Sequence, residues 1–109
     1  MAGRLVRATE LPDAPLDAAA DFYARILPAI RDDWEDVEDI VVVFEPAGHE
    51  HRAWRVAAIQ ELAREVAPCR VNGVVMAQDN PIGCADVLNY LDAAPGVTGQ
   101  LLVVDGKSE

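Results

Sequence analysis

Ile40-Val41-Val42-Val43-Phe44 constrains the fold more than any other part of this chain. A strand sends alternate side chains to opposite faces, so an unbroken apolar strand must be covered on both sides. Parallel sheets sandwiched between helices meet that demand, whereas antiparallel sheets often leave one face wet. The segments around it alternate in kind. Arg4–Thr9 has the β-branched, half-alternating look of a short strand, and Leu16 to about Arg31 carries apolar residues at helical spacing. A second helix is expected from His49 or Glu50 to Ala67, then a strand over Arg70–Met76. A third helix from Asn80-Pro81 to about Leu91 and a last strand over Gln100–Val104 complete the pattern. Strand–helix alternation of this kind predicts a layered α/β domain with a four-stranded, mainly parallel sheet in sequential order and three main helices. Right-handed crossovers would put the first two helices on one face and the last on the other.

Local signals set the boundaries. Pro15 suits a first helical position, Asp13 is the candidate cap, and Asp17 complements the dipole. Pro28 lacks the amide that a helix interior requires, so a kink there or an early end is expected. Pro68 stops the second helix, and Pro95-Gly96 closes off the third.

The 109 residues suit one domain, 1–109, with an acidic loop over 32–39 and a flexible tail at 107–109. Nine bases face 19 acids, for a formal charge of −10, which argues against nucleic acid and anionic membranes as partners while leaving a basic protein open. No apolar run is long enough to span a bilayer and no apolar signal segment follows Met1, so a cytoplasmic protein is expected. Cys69 and Cys84 match no metal or redox spacing and read as small, partly buried hydrophobes.

The second half of the chain carries a resemblance. Leu62-Ala63-Arg64-Glu65-Val66-Ala67-Pro68 and Arg70-Val71-Asn72-Gly73-Val74 resemble the "LAREL-AP…RVNAV" passage of short-chain dehydrogenases. Ala85-Asp86-Val87-Leu88-Asn89-Tyr90-Leu91 and Val97-Thr98-Gly99-Gln100-Leu101-Leu102-Val103-Val104-Asp105-Gly106 resemble the family's carboxyl-terminal passage. Tyr23–Ile30 and Asp39–Val43 are similar to an earlier helix and strand of the same family, less distinctively. The resemblance implies a partial Rossmann-like fold, equivalent to the carboxyl-terminal half of a short-chain dehydrogenase/reductase.

The departures from the family carry the functional expectation. Nothing here resembles G-x-x-x-G-x-G, the turn that seats the dinucleotide pyrophosphate, and 109 residues leave no room for that half of the fold. Family enzymes use a Tyr as general acid/base, a Lys four residues later and a Ser at the preceding strand end. Counting back from Leu62, these positions fall near Gly48, near Arg52 and at or beside Glu45. Gly48 has no proton to transfer. Met76-Ala77 replaces the family's "PG" beside the nicotinamide, and the substrate loop is reduced to Ala77–Asn80. A non-catalytic protein with no cofactor is therefore expected.

Other candidates have ordinary explanations. His49-Glu50-His51 places its imidazoles on different faces of a helix, with no distant ligand to complete a metal site, so no metal is expected. Asp32-Asp33-Trp34-Glu35-Asp36-Val37-Glu38-Asp39 does not match an EF-hand and reads as a solvated acidic loop. The apolar positions of the first helix cover roughly 180°, where roughly 100° suffices to cover a sheet. The second helix is similarly over-apolar. Members of the resembled family commonly dimerise through these two helices, so a homodimer is expected through residues 16–31 and 50–67, with Phe22, Tyr23, Ile26, Trp54, Ala58 and Leu62 at the interface. A partnership with an intact dehydrogenase is the related expectation. The alternative is a small-ligand-binding protein or an enzyme with a new site at the carboxyl ends of the strands, drawing on Glu45, His49, Arg52, Asp79 and Asn80.

Overall fold

A computed structural model describes residues 3–32, 37–76 and 81–104, apart from the side chains of 81–84. Four strands, β1 (Gly3–Ala8), β2 (Asp39–Phe44), β3 (Arg70–Val75) and β4 (Leu101–Val103), form one sheet in the order β1-β2-β3-β4. All three pairings are parallel, with Val6 beside Val42 and Val42 beside Gly73. The chain is thus an α/β protein with a partial Rossmann-like layout, as its strand–helix alternation predicts.

The uninterrupted apolar run of β2 is buried on both sides of the sheet. Ile40, Val42 and Phe44 face one layer, where they meet Phe22, Ile26 and Ile30 from the first helical rod and Ala58, Ile59 and Leu62 from helix α3 (Arg52–Glu65). Val41 and Val43 face the other layer with Val74 and Met76, under Val87, Leu88 and Leu91 of helix α4 (Pro81–Asp92). The pleat alone sorts these residues.

The first helical rod departs from expectation at both ends of its argument. Ala14, not Asp13, occupies the cap position, and no side chain caps the helix there. Pro15 does open it, and α1 (Pro15–Asp21) continues through a π-helical turn, Phe22–Ile26, into α2 (Leu27–Asp32). Pro28 therefore neither ends the rod nor stops its packing. The adjustment falls one turn upstream, where the Leu27 amide reaches back to the Phe22 carbonyl across an extra residue. That widened turn keeps Phe22, Ile26 and Ile30, four residues apart, on one buried line.

α3 is shorter than expected. It begins at Arg52 after a tight turn over His49–His51 and ends at Glu65, with Val66 leaving helical geometry before Pro68. Arg31 and Glu65 join the ends of the two helical rods through paired contacts of 2.6 and 2.7 Å. The hydrogen bond holds the Glu65 carboxyl below its ordinary value and the Arg31 guanidinium above its own.

The acidic segment's centre, with Trp34, lies outside the described residues, as do Asp79, Asn80, the Cys84 side chain and the tail. Cys69 is buried, and desolvation followed by the nearby Asp39 charge raises its thiol pKa. Among the described residues no helix is long and apolar enough to cross a membrane.

Candidate functional site

The carboxyl ends of β1 and β2 frame a small cavity of about 100 Å³. Ala8 and Glu45–Ala47 supply the strand ends. The loop after β1 turns at Glu10, whose φ is 61°, and carries Leu11, Pro12 and Asp13 across the opening. His51 and Arg55 close the inner wall from the start of α3.

Of the residues singled out for a ligand site, Glu45 lines this cavity, but His49 and Arg52 do not; both are exposed. Their inward neighbours take the place. His51 and Arg55 are only 5% and 4% exposed. They begin the inward stripe of α3, which continues through Ala58, Ile59 and Leu62 at helical spacing. That stripe is visible in the sequence, and extending it one turn towards the amino end finds both residues.

The geometry fixes what these two side chains do. His51 Nδ1 lies 3.1 Å from Trp54 Nε1, and an indole nitrogen only donates, so Nδ1 carries no proton. Nε2 must then hold the proton, and it donates to the Asp13 carbonyl at 2.9 Å. Both ring nitrogens are thereby engaged in pinning the loop after β1 to α3. Arg55 lays its guanidinium over the Phe44 ring, 4.7 Å from the centroid, and 5.8 Å from that of Trp54. Phe22, Phe44 and Trp54 pack on one another at centroid distances of 5.5–5.8 Å. A buried cation held on aromatic faces stiffens this corner of the core.

The positions that the resemblance assigns to an acid/base Tyr and its Lys hold Gly48 and Arg52, both exposed at the entrance to α3. Among the described residues no group of three or more His, Cys, Asp or Glu is placed to hold a metal ion.

The motif residues of the second half do something else. Arg70 bonds the Asp39 carboxylate at 2.6 Å and the Leu91 and Ala94 carbonyls at 3.0 and 2.8 Å, tying β2 and β3 to the end of α4. Asn72, 1% exposed, donates to the Val97 carbonyl at 3.0 Å and accepts from the Gln100 amide at 3.1 Å. The Thr98 hydroxyl accepts from the Val71 amide at 3.0 Å. Gly99 has a φ of +75°, which side chains rarely adopt, and its amide reaches the Val71 carbonyl at 2.7 Å. Arg70-Val71-Asn72 and Val97-Thr98-Gly99-Gln100 are the two halves of one clasp that seats β4 against β3.

Four of the six residues expected at a dimer interface are spent inside the chain. Phe22, Ile26, Ala58 and Leu62 are at most 6% exposed, because the sheet beneath already covers them. Trp54 is half-buried against Phe22 and Phe44, and Tyr23 is exposed. The outward apolar residues of the first rod instead include Leu16, Ala20, Tyr23, Ala24 and Ala29.

A parallel sheet in sequential order, layered by helices on both faces and closed by this clasp, defines a Rossmann-like protein. The chain belongs to the short-chain dehydrogenase-like family: the model of that family, described as "short chain dehydrogenase-like protein", matches residues 6–104. No curated protein and no solved structure matches the chain.

Proposed function

We propose that this chain is a non-catalytic member of its family that acts through protein contact, as a homodimer or as the partner of an intact dehydrogenase. One observation carries the reading. Arg70, Asn72 and Thr98, polar residues that match the family's motifs, are engaged in holding the scaffold together, while the position of the proton-transferring Tyr falls near Gly48. General acid/base catalysis requires a titratable group at the reacting atom, and glycine supplies none.

A small-ligand reading has one observation in its favour, the cavity walled by His51 and Arg55. Its volume of about 100 Å³ is well below the roughly 300–1,000 Å³ of ordinary ligand sites, and His51 has no free ring nitrogen to offer. Self-association through the outer faces of the helical rods rests on the exposed Leu16 and Tyr23.

Thermal unfolding with NAD(H) and NADP(H) tests the reading. A ligand present at 100 times its dissociation constant stabilises a fold by about 2.7 kcal/mol. No rise in melting temperature is expected at millimolar nucleotide, and a saturable rise would refute the non-catalytic reading. Sedimentation velocity tests the dimer, which Tyr23→Arg is expected to dissociate without loss of fold.

A further inference from the structure

The loop after β1 is held down at both of its ends by helix side chains. Arg25 donates to the Thr9 carbonyl at 2.8 Å, and His51 donates to the Asp13 carbonyl at 2.9 Å. Between them the chain turns at Glu10, where φ is 61°, a left-handed conformation that residues other than glycine keep only where their surroundings hold them. Leu11 packs against the core beneath. The Asp13 bond thus fastens a loop whose turn is not one the backbone favours unaided.

That bond depends on the charge of one ring. Neutral His51 accepts the Trp54 indole N–H at Nδ1 and donates from Nε2. A second proton has only Nδ1 to go to, where it meets the indole N–H, a group that cannot accept. The two nitrogens are 3.1 Å apart, so one ring must move. Trp54 is wedged against Phe22 and Phe44 at centroid distances of 5.5 and 5.8 Å, whereas His51 borders the cavity of about 100 Å³. Asp13 of the loop, Glu45 just past β2 and Arg55 of α3 are the charged residues lining that cavity, and α1 meets it with Ala18. Two carboxylates against one guanidinium make it a setting that accommodates an imidazolium.

We propose that His51 is an acid-sensitive latch: neutral, it fastens the loop after β1 to α3, and protonated, it turns from the Asp13 carbonyl towards the carboxylates, releasing Leu11–Asp13 and opening the cavity. The latch is whole above the titration of the imidazole and is lost as pH falls through it. It stands or falls separately from the protein-contact reading.

Nuclear magnetic resonance of the full chain carrying His49→Gln and Trp34→Phe, which leave one imidazole and one indole, tests this. As pH falls from about 7.5 to about 5.5, where histidine ordinarily titrates, the His51 ring, Trp54 indole and Leu11 methyl signals are expected to move in one shared transition. Exchange of the indole proton, corrected for its intrinsic pH dependence, should quicken by about tenfold, the loss of one hydrogen bond. Adding His51→Gln should abolish the transition at Leu11 and leave the β2 and β3 amides unchanged. A ring that stays neutral throughout, or one that titrates without movement of Trp54 and Leu11, would overturn the proposal. So would a loop transition confined below about pH 5, where carboxylates titrate, or one that persists in His51→Gln. Loss of the β2 and β3 amide signals in the same step would also overturn it, since His51 would then hold the whole fold. Should His51→Gln not fold, the shared titration of ring, indole and methyl still decides.

Discussion

Asn72→Leu is the substitution that most directly tests what the matched motif does. Leucine has nearly the shape of asparagine but can neither donate nor accept. The change removes the bond to the Val97 carbonyl at 3.0 Å and the bond from the Gln100 amide at 3.1 Å, at a side chain that is 1% exposed. Both orphaned backbone groups then face a hydrocarbon. Leaving a buried polar group unsatisfied costs about 1–3 kcal/mol, and these two lie in a part-buried setting where water relieves some of the penalty. A loss of about 2–4 kcal/mol is therefore expected, a large share of the roughly 5–15 kcal/mol that holds a domain of this size together. At about 4 °C per kcal/mol, the melting temperature should fall by about 8–16 °C. Urea unfolding followed by circular dichroism gives the free energy, with the m-value unchanged if only the native state is affected. Amide exchange at Gly73, whose N–H reaches the Gln100 carbonyl at 2.8 Å, should accelerate first, because β4 loses its clasp before the sheet opens. A loss below about 0.5 kcal/mol would refute the claim that Asn72 is a structural member of the sheet.

Glu65→Gln is expected to remove a pH-dependent part of the stability. The Arg31 hydrogen bond holds the Glu65 carboxyl below its ordinary 4.5, so its contribution is complete above that pH and is lost as pH falls through the folded-state value. The difference between wild type and variant should thus vanish in acid, and remain small at neutral pH because the side chains are 51% and 44% exposed. Gly73→Ala should cost about 1 kcal/mol in urea unfolding, since the new methyl would sit 2.9 Å from Leu101 Cδ1 and 3.0 Å from Ile59 Cγ1. The same change in an Ile59→Val background should cost less, because the Ile59 Cδ1 atom, 3.2 Å away, is gone. Cys69 should react with iodoacetamide far more slowly than a free thiol at pH 8 until the chain unfolds, because burial raises its pKa and blocks access.

The sheet was legible because β2 leaves a chain few choices. Five consecutive apolar residues require two covered faces, and the flanking helices supply them on either side. The first rod was legible as a helix but not as this helix, since periodicity does not report a π-helical turn and Pro28 points to an ending that tertiary packing overrides. The excess apolar arc was real in the sequence, yet its width does not say which neighbours fill it. Phe22, Ile26, Ala58 and Leu62 went to the sheet, and the exposed remainder is smaller than the arc implied. At the cavity, His49 and Arg52 belong to a segment at the carboxyl ends of the strands, yet both side chains are exposed. The helical stripe through Ala58 and Leu62 would have selected His51 and Arg55, two polar residues on a buried line.

That contrast bears on how far a family match can be read as a family activity. Arg70, Asn72, Thr98 and Gly99 each satisfy a backbone group or a backbone conformation that the sheet cannot do without, so each change is charged directly against folding. A tyrosine at the exposed position 48, or a lysine at the exposed position 52, would carry no comparable structural duty. Substitutions there cost the fold little even where they abolish a reaction. A scaffold released from its chemistry would therefore keep its "RVN" and "TG" signatures while its catalytic positions drifted. The non-catalytic role proposed above expects that form. Matching motifs of the first kind establish descent and architecture, and only residues of the second kind speak to turnover.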